Sequence, residues 1–395
     1  MFIRLTRGFK ISSRWRRSSP LVPGPKPPGS LRSLGLSQYL LEASSRSING
    51  FRWRWLIIGC VRITRKRCGP RGLVVRASGC IESNAKDLDS ITAIVPTIGR
   101  AESLRALLDS LAAQTRKPDE VIVADASNDP DTAHIIEAEA RLTVKRIHVE
   151  PPNAVRQRMA AIDVARGDNL LLLDDDVVLE PDCVQHLLAV LQQDASVVAA
   201  SADFNNQSWP APTRIWRLYL RRILRMDQEA WQGKVVGPLL RFGYNPVPAG
   251  PTPIEWLGSG NSLVRRSAFL SAGGFSDFFL HRCTINEDVD LGLKLRKFGG
   301  IVFCPAARMA HHHAPSGRVS SLVAAEDDLF NRFFILRRTL GYGLLRSFSL
   351  VLLYFGVETA SQFLGCVRRL NFRGFFAPLS GRIRAFGRIL IPIVR

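Results

Sequence analysis

The sequence predicts an α/β fold, a mostly parallel sheet with helices packed on both faces. Three observations carry this expectation. Between residues 91 and 201, short apolar runs alternate with segments whose leucines recur at helical spacing, and the intervening loops are short. The run Leu170-Leu171-Leu172-Leu173 is apolar throughout instead of alternating, which marks a strand buried on both faces. Two of the runs end in acids, Asp125 and Asp174 to Asp176, at the carboxyl ends of strands, where open α/β sheets bind their ligands.

Order is expected to begin at residue 91. Residues 91–97 read as a strand closing in a turn, and 101–114 as a helix with Leu104, Leu107, Leu108 and Leu111 along one side. Residues 120–125 form a second strand, 131–141 a helix and 144–149 a third strand. Residues 155–166 are helical and stop at Gly167, read as a glycine just past the helix end. The leucine strand follows. Pro181 suits the first turn of a helix reaching about residue 193, and 196–201 add a strand. Segment 203–255 is irregular. It holds a basic amphipathic stretch at 214–225, suited to covering a site, resting on a membrane or simply facing solvent. Residues 266–272 form a short helix before Gly273-Gly274. Residues 286–298 form a longer one, with Asn286 as N-cap and Gly299 past its end. Residues 301–304 are a strand, and His311-His312-His313 follow as a polar segment.

Charge divides the chain into three. The net +20 sits at the ends: residues 1–80 hold 17 Lys+Arg against one acid, and 332–395 hold 11 Arg against one acid. Between them, 26 basic residues meet 32 acidic ones, an ordinary globular balance. Basic ends suit anionic lipid or a polyanion, and the centre does not suit nucleic-acid reading. The expected organisation is a basic, disordered, low-complexity extension over 1–88, a folded domain over 89–342, and a basic amphipathic region over 343–395. Residues 53–61 are apolar but too short to cross a bilayer, and no small-residue cleavage site follows them. The Arg-rich leader is similar in composition to an organellar transit peptide, or it is an upstream start with no folded role. Near the C-terminus the apolar run 348–356 stops short of a spanning length, with Glu358, Ser361 and Gln362 beyond it. Arginines alternate with Phe, Leu and Ile after that, so an interfacial region is expected over a true span. Seven cysteines, an odd number without a C-x-x-C pair, indicate neither a disulfide framework nor a zinc site. They fit a reducing compartment, so the expected location is cytoplasmic, peripheral on the inner face of a membrane.

Asp174, Asp175 and Asp176 repel one another unless something neutralises them. A hard divalent cation does so through carboxylate oxygen, which points to Mg²⁺ or Mn²⁺. The plainer alternative is an acidic surface turn. A second acidic pair, Glu287 and Asp288, opens the helix expected from residue 286.

Taken as a set, residues 91–313 resemble the family 2 glycosyltransferases, whose fold is GT-A, a Rossmann-like, mixed, mostly parallel sheet. Ala93-Ile94-Val95-Pro96-Thr97 is similar to the family's first strand. Val121-Ile122-Val123-Ala124-Asp125-Ala126-Ser127 is similar to the second, whose acid faces the nucleotide base. Val155-Arg156-Gln157-Arg158 resembles the segment before the metal strand, although Met159 and Ala161 stand where Asn and Gly are common. Leu173-Asp174-Asp175-Asp176 resembles the Asp-x-Asp motif and Gly260-Asn261 the acceptor-side loop. Asn286-Glu287-Asp288-Val289-Asp290-Leu291-Gly292 resembles the family's Glu-Asp helix start. Pro305 followed by His311 has the spacing of the histidine that completes the metal site. The Gln-x-x-Arg-Trp box of processive synthases is absent, with Asn331-Arg332 near its place, so chain-extending synthesis is not expected.

The resemblance implies a metal-dependent, inverting transfer of a sugar from a nucleoside diphosphate to a hydroxyl of a glycan or lipid-linked acceptor. On this reading Asp174, Asp176 and His311 hold Mg²⁺ or Mn²⁺ against the donor's phosphates, with His313 the second choice for His311. Pro96, Thr97, Asp125, Arg158, Asp174 and Asp175 belong to the donor side, Asp125 and Asp175 accepting from ribose hydroxyls or a base N–H. Gly260 and Asn261 belong to the acceptor side. Asp288 is the general base, with Glu287 beside it, and the helix N-terminus favours its ionised form. The plainer alternatives are first-turn acids, a polar histidine loop, a surface charge at Arg158 and an Asx-turn at Asp125. Two rival functions remain. A nucleotidyltransferase needs a glycine-rich loop after the first strand, for which Pro96-Thr97-Ile98-Gly99-Arg100 is too short and too poor in glycine. A polyanion- or membrane-binding protein would use the basic ends on a catalytically silent scaffold.

Overall fold

A computed structural model of the protein describes residues 89–394, apart from 228, 282–283 and 314–318. The expectations for 1–88 lie outside the described residues. In chain order the elements are β1 (Ile91–Thr97), α1 (Ala101–Ala112), β2 (Glu120–Asp125), α2 (Pro130–Ala138), β3 (Val144–His148), α3 (Ala154–Val164), β4 (Asn169–Leu173), β5 (Val177–Leu179), α4 (Cys183–Gln193), β6 (Val197–Phe204), α5 (Arg214–Arg222), β7 (Val235–Val236), β8 (Leu240–Arg241), β9 (Thr252–Pro253), β10 (Asn261–Arg265), α6 (Arg266–Ser271), α7 (Glu287–Leu295), β11 (Gly300–His311), α8 (Ser321–Phe334), α9 (Leu344–Arg369) and α10 (Phe376–Val394).

The main sheet runs β3-β2-β1-β4-β10-β6-β11-β5, with β9 also paired to β11. Strands β3, β2, β1 and β4 are mutually parallel, as are β6 and β11. Strand β10 enters antiparallel between β4 and β6, so the sheet is mixed and mostly parallel in paired length. Both faces are covered, and the strands' two-residue period decides which side chain goes where. Ile91, Ala93 and Val95 of β1 join Leu171 and Leu173 of β4 under α1 and α4. Ile94, Leu170 and Leu172 point the other way, into the cluster with α3, α6, α7 and α8. The leucine run is fully buried because it has a helix layer on each side.

Four local expectations need correction. Helix α3 ends at Val164 with extended Ala165 as its cap, so Gly167 is not a helix stop. A Cβ at Gly167 would instead overlap the backbone of Thr92. Asn286 makes no side-chain cap. It sits in the left-handed region at φ 69°, which asparagine tolerates, and its Nδ2 donates to Asp328 at 2.8 Å. Strand β11 does not stop at Cys304. A register shift between Cys304 and Arg308, where Pro305 lacks the N–H a ladder needs, carries the strand on to His311. The C-terminal apolar run does not stop short either. Helix α9 has 26 residues and is long and apolar enough to cross a membrane by length and composition. Glu358 does not break it, because that carboxylate faces the domain and accepts from Trp216 Nε1 at 2.6 Å.

Helix α8 carries a mostly buried ion pair, Arg332 with Asp328, that ties α9 to the residue before α7. Arg332 Nε donates to Asp328 at 3.1 Å, and its Nη1 donates to the carbonyls of Pro238 and Leu239. Tyr354 of α9 donates its hydroxyl to Asp328 at 2.8 Å. Burial alone would raise the Asp328 carboxyl, but Arg332, Asn286 and Tyr354 hold it below its usual 3.8. Its contribution to stability is therefore present above pH 3.8 and lost as the pH falls below that. Removing one partner of a buried pair strands the other. Asp328→Ala is expected to destabilise by about 3–5 kcal/mol and Tyr354→Phe by about 1 kcal/mol, measured by urea unfolding.

Candidate active site

Strand β4 ends at Leu173, and the three acids form the turn into β5. Strand β5 pairs antiparallel with the end of β11, His311 opposite Val177, and this register brings His311 Nε2 to 3.0 Å from Asp176 Oδ1. Asp174, Asp176 and His311 each offer a ligand atom, all within 4.8 Å of one another. Two carboxylates and an imidazole, half-buried at a strand terminus, fit a hard to intermediate divalent cation such as Mg²⁺ or Mn²⁺.

The acids are not left to repel one another, which corrects the premise drawn from the sequence. Arg158 is buried, not a surface charge, and pairs with Asp174. Arg100 donates to Asp175 at 2.8 Å and lies 3.8 Å from Asp176. Asp175 turns inward and also accepts from Thr97 Oγ1 at 2.8 Å. Burial raises its carboxyl above the usual range even though Arg100 and Thr97 pull it down.

The donor-side residues are brought together, with their oxygens already engaged. Register sets Thr97 beside Asp125, with buried Pro96 before it in β1, at the carboxyl ends of β1 and β2. Asp125 is fully buried. Its Oδ1 accepts from Ser127 N and Oγ, the Asx-turn alternative, and its Oδ2 accepts two N–H groups of Arg146. Asp125 and Asp175 thus face the protein in this state, not an open pocket. The groups presented to solvent at this end are Asn128, Asp129, Arg146 and His148, which with buried Ser127 line an open cleft of about 350 Å³.

Residues 259 and 260 join the metal-type cluster to the second acidic pair. A Cβ at Gly260 would overlap the Asp174 carboxylate, while Ser259 Oγ donates to Glu287 Oε1 at 2.9 Å. Gly260→Ala is therefore expected to displace Asp174 and lower turnover by about 10²-fold without unfolding the domain, checked by kinetics beside a thermal melt. Asn261, expected on the acceptor side, is engaged within the sheet. Its Nδ2 donates to the Ala202 carbonyl at 2.7 Å, holding β10 to β6. It borders a small cavity of about 20 Å³ lined by Trp209, Tyr244, Trp256 and Phe303.

Glu287 is buried, and burial, with Asp288 adjacent, pushes its carboxyl up to about 8. Asp288 is half-buried and ion-paired with Arg241 at 2.9 Å. The folded chain thus keeps the Glu287 proton up to about pH 8, whereas the unfolded chain loses it near 4.5. Stability is expected to fall as pH rises through that window. Glu287→Gln should flatten the slope, read from urea midpoints at its two ends.

Four site residues, Arg100, Arg146, Ser259 and Arg241, escaped the sequence reading. Arg100 and Ser259 sit beside motifs that were recognised, but their polar partners are remote in sequence. Arg241 lies in the irregular 203–255 segment, where no periodicity marks it.

The sequence model described as Glycosyl transferase family 2 matches residues 92–243. The O-antigen biosynthesis protein RfbC of Myxococcus xanthus is 32% identical over 256 residues, covering 60% of this chain and 18% of that protein. An N-acetylglucosaminyl-diphospho-decaprenol L-rhamnosyltransferase of Mycobacterium tuberculosis is 46% identical over 66 residues, 16% of this chain and 20% of that protein. The chain spans about a fifth of the length of these two relatives. Among solved structures, S. aureus TarS 1-349 has a TM-score of 0.43 at 15% identity, over 66% of this chain and 69% of that one. The family match runs from β1 through β8, so residues 92–243 carry the sequence pattern of a family 2 glycosyltransferase domain, on a sheet of the GT-A kind.

Proposed function

We propose that residues 89–342 transfer a sugar from a nucleoside diphosphate to a hydroxyl of a lipid-linked or surface glycan, with inversion and with Mg²⁺ or Mn²⁺. The observation that carries this reading is the bridge at 259–260: one residue contacts Glu287 and the next abuts Asp174, so a donor's diphosphate and an acceptor's hydroxyl would meet between them. The name of the mycobacterial relative, which carries a diphospho-decaprenol acceptor, supports the lipid-linked class.

Asp174, Asp176 and His311 would hold the divalent ion, which when bound supplies a Lewis acid to the leaving diphosphate. Arg158 and Arg100 hold the acids in place and balance their charge while the site is open. Arg146, supported from beneath by Asp125, presents its cation at the rim of the nucleotide-side cleft. Asp288, at the first turn of α7, takes the acceptor's proton as the hydroxyl attacks. Glu287 keeps its proton because it is buried, so it is not the group that accepts one. An acceptor of this class places the enzyme on the cytoplasmic side, at a membrane surface. The test is release of nucleoside diphosphate from a panel of donor sugars with Mn²⁺ and a polyprenyl-diphosphate-linked acceptor. Acceptor-dependent release with inverted anomeric configuration is expected, and donor turnover with retained configuration would overturn the reading.

The pairing of all three acids with Arg100, Arg158 and His311 favours a second reading, the same transfer without a metal. Chelation separates the two.

A further inference from the structure

The outward faces of α9 and α10 carry no acids. On α9, Leu345, Leu352, Phe363 and Val367 are exposed and share one side of the helix, with Gly356 and Ala360 between them. The stripe holds no charged residue over its length. On α10, Phe376, Ile383 and Leu390 are exposed with the same spacing. The two helices pack against each other through Phe355–Phe386 and Phe348–Phe386, so the stripes lie on neighbouring helices. Exposed Arg368, Arg369 and Arg373 flank them at the turn that joins the helices.

The opposite side of α9 is pinned to the domain. Val351 is fully buried, Tyr354 donates to Asp328, and Glu358 accepts from Trp216. Helix α10 is pinned as well, Arg388 bridging Glu326 and Asp327 of α8 at 2.8 Å each. A helix crossing the bilayer would have to strip these polar contacts and place Glu358 in hydrocarbon, at a cost of several kcal/mol. Helix α9 is long enough to span, yet its bonding holds it flat against the domain.

We propose that α9 and α10 form a docking face that lies in the plane of an anionic lipid bilayer, the apolar stripe at acyl depth and the arginines among the headgroups. The occupant follows from charge and composition together. Exposed Arg368, Arg369 and Arg373, with no acid beside them, attract anionic headgroups. A nucleic acid would satisfy the arginines but leave the apolar stripe in water. The helix that carries this face is tied to the start of α7, because Tyr354 on its inner side shares Asp328 with Asn286, two residues before Asp288. This deepens the lipid-linked reading above. It brings the acceptor's headgroup to the base without extracting its tail.

The test is flotation of the full chain with phosphatidylcholine vesicles, with and without phosphatidylglycerol, so that lipid association is read independently of sugar transfer. Association is expected only with the anionic vesicles. Leu352→Glu with Phe363→Glu should weaken it by about tenfold or more, and so should reversal of Arg368, Arg369 and Arg373 to Glu. Unchanged thermal midpoints show that the variants fold, since these side chains point outward. No vesicle association overturns the proposal. So does loss on charge reversal alone, which marks a polyanion site, or a dimer in solution that Leu352→Glu dissociates, which marks a second copy as the occupant. If flotation behaves as expected while no donor sugar is turned over, the surface stands and the transferase reading falls.

Discussion

Asp288→Asn is expected to lower turnover by about 10²–10⁴-fold while leaving nucleotide binding intact. The amide keeps the size of the side chain but cannot take a proton. Its Oδ1 can still accept from Val289 N at the first turn of α7, so the helix start survives. The lost ion pair with Arg241 is partly exposed and worth about 1 kcal/mol or less, so folding is preserved. Steady-state kinetics with calorimetric titration of the nucleoside diphosphate separates the two effects. Near-normal turnover in this variant would remove Asp288 from the mechanism. The buried Glu287 would not replace it easily, since it holds its proton up to about pH 8.

Asp176→Asn is expected to lower kcat/KM by about 10²-fold or more and to abolish any response to added Mn²⁺. Asp176 is the acid that His311 meets at 3.0 Å, and together with Asp174 they are the described residues placed to share one cation. The wild-type enzyme should lose activity with a chelator and regain it with Mn²⁺. If chelation leaves activity untouched, and Asp176→Asn costs stability only, the arginines and His311 are the whole charge-balancing device. The site would then work without a metal. Titration of Mn²⁺ against wild type and variant decides between these outcomes.

Much of this fold could be read from the chain. Apolar runs of strand length, separated by helical spacing, can be buried only as a sheet with helices on both sides, and the leucine run reads as its most buried strand. The acids were equally legible, because Asp174 to Asp176 are consecutive and Glu287 and Asp288 adjacent. Breaks inferred from single residues were less legible. Pro305 and Glu358 looked like ends of elements, but a register shift absorbs the first and the Trp216 indole satisfies the second. Local sequence shows an imperfect residue without showing the partner that accommodates it.

The sequence by itself determined the sheet, the acidic triplet and the acidic pair, and the basic, apolar C-terminus, since each is a property of neighbouring residues. Only the tertiary structure decided which charges balance those acids and which face of α9 stays free. Arg100 reaches Asp175 across 75 positions and Arg241 reaches Asp288 across 47, and Tyr354 ties α9 to the domain across 26. Such pairings are fixed by strand order and helix docking, and no periodicity along the chain encodes them.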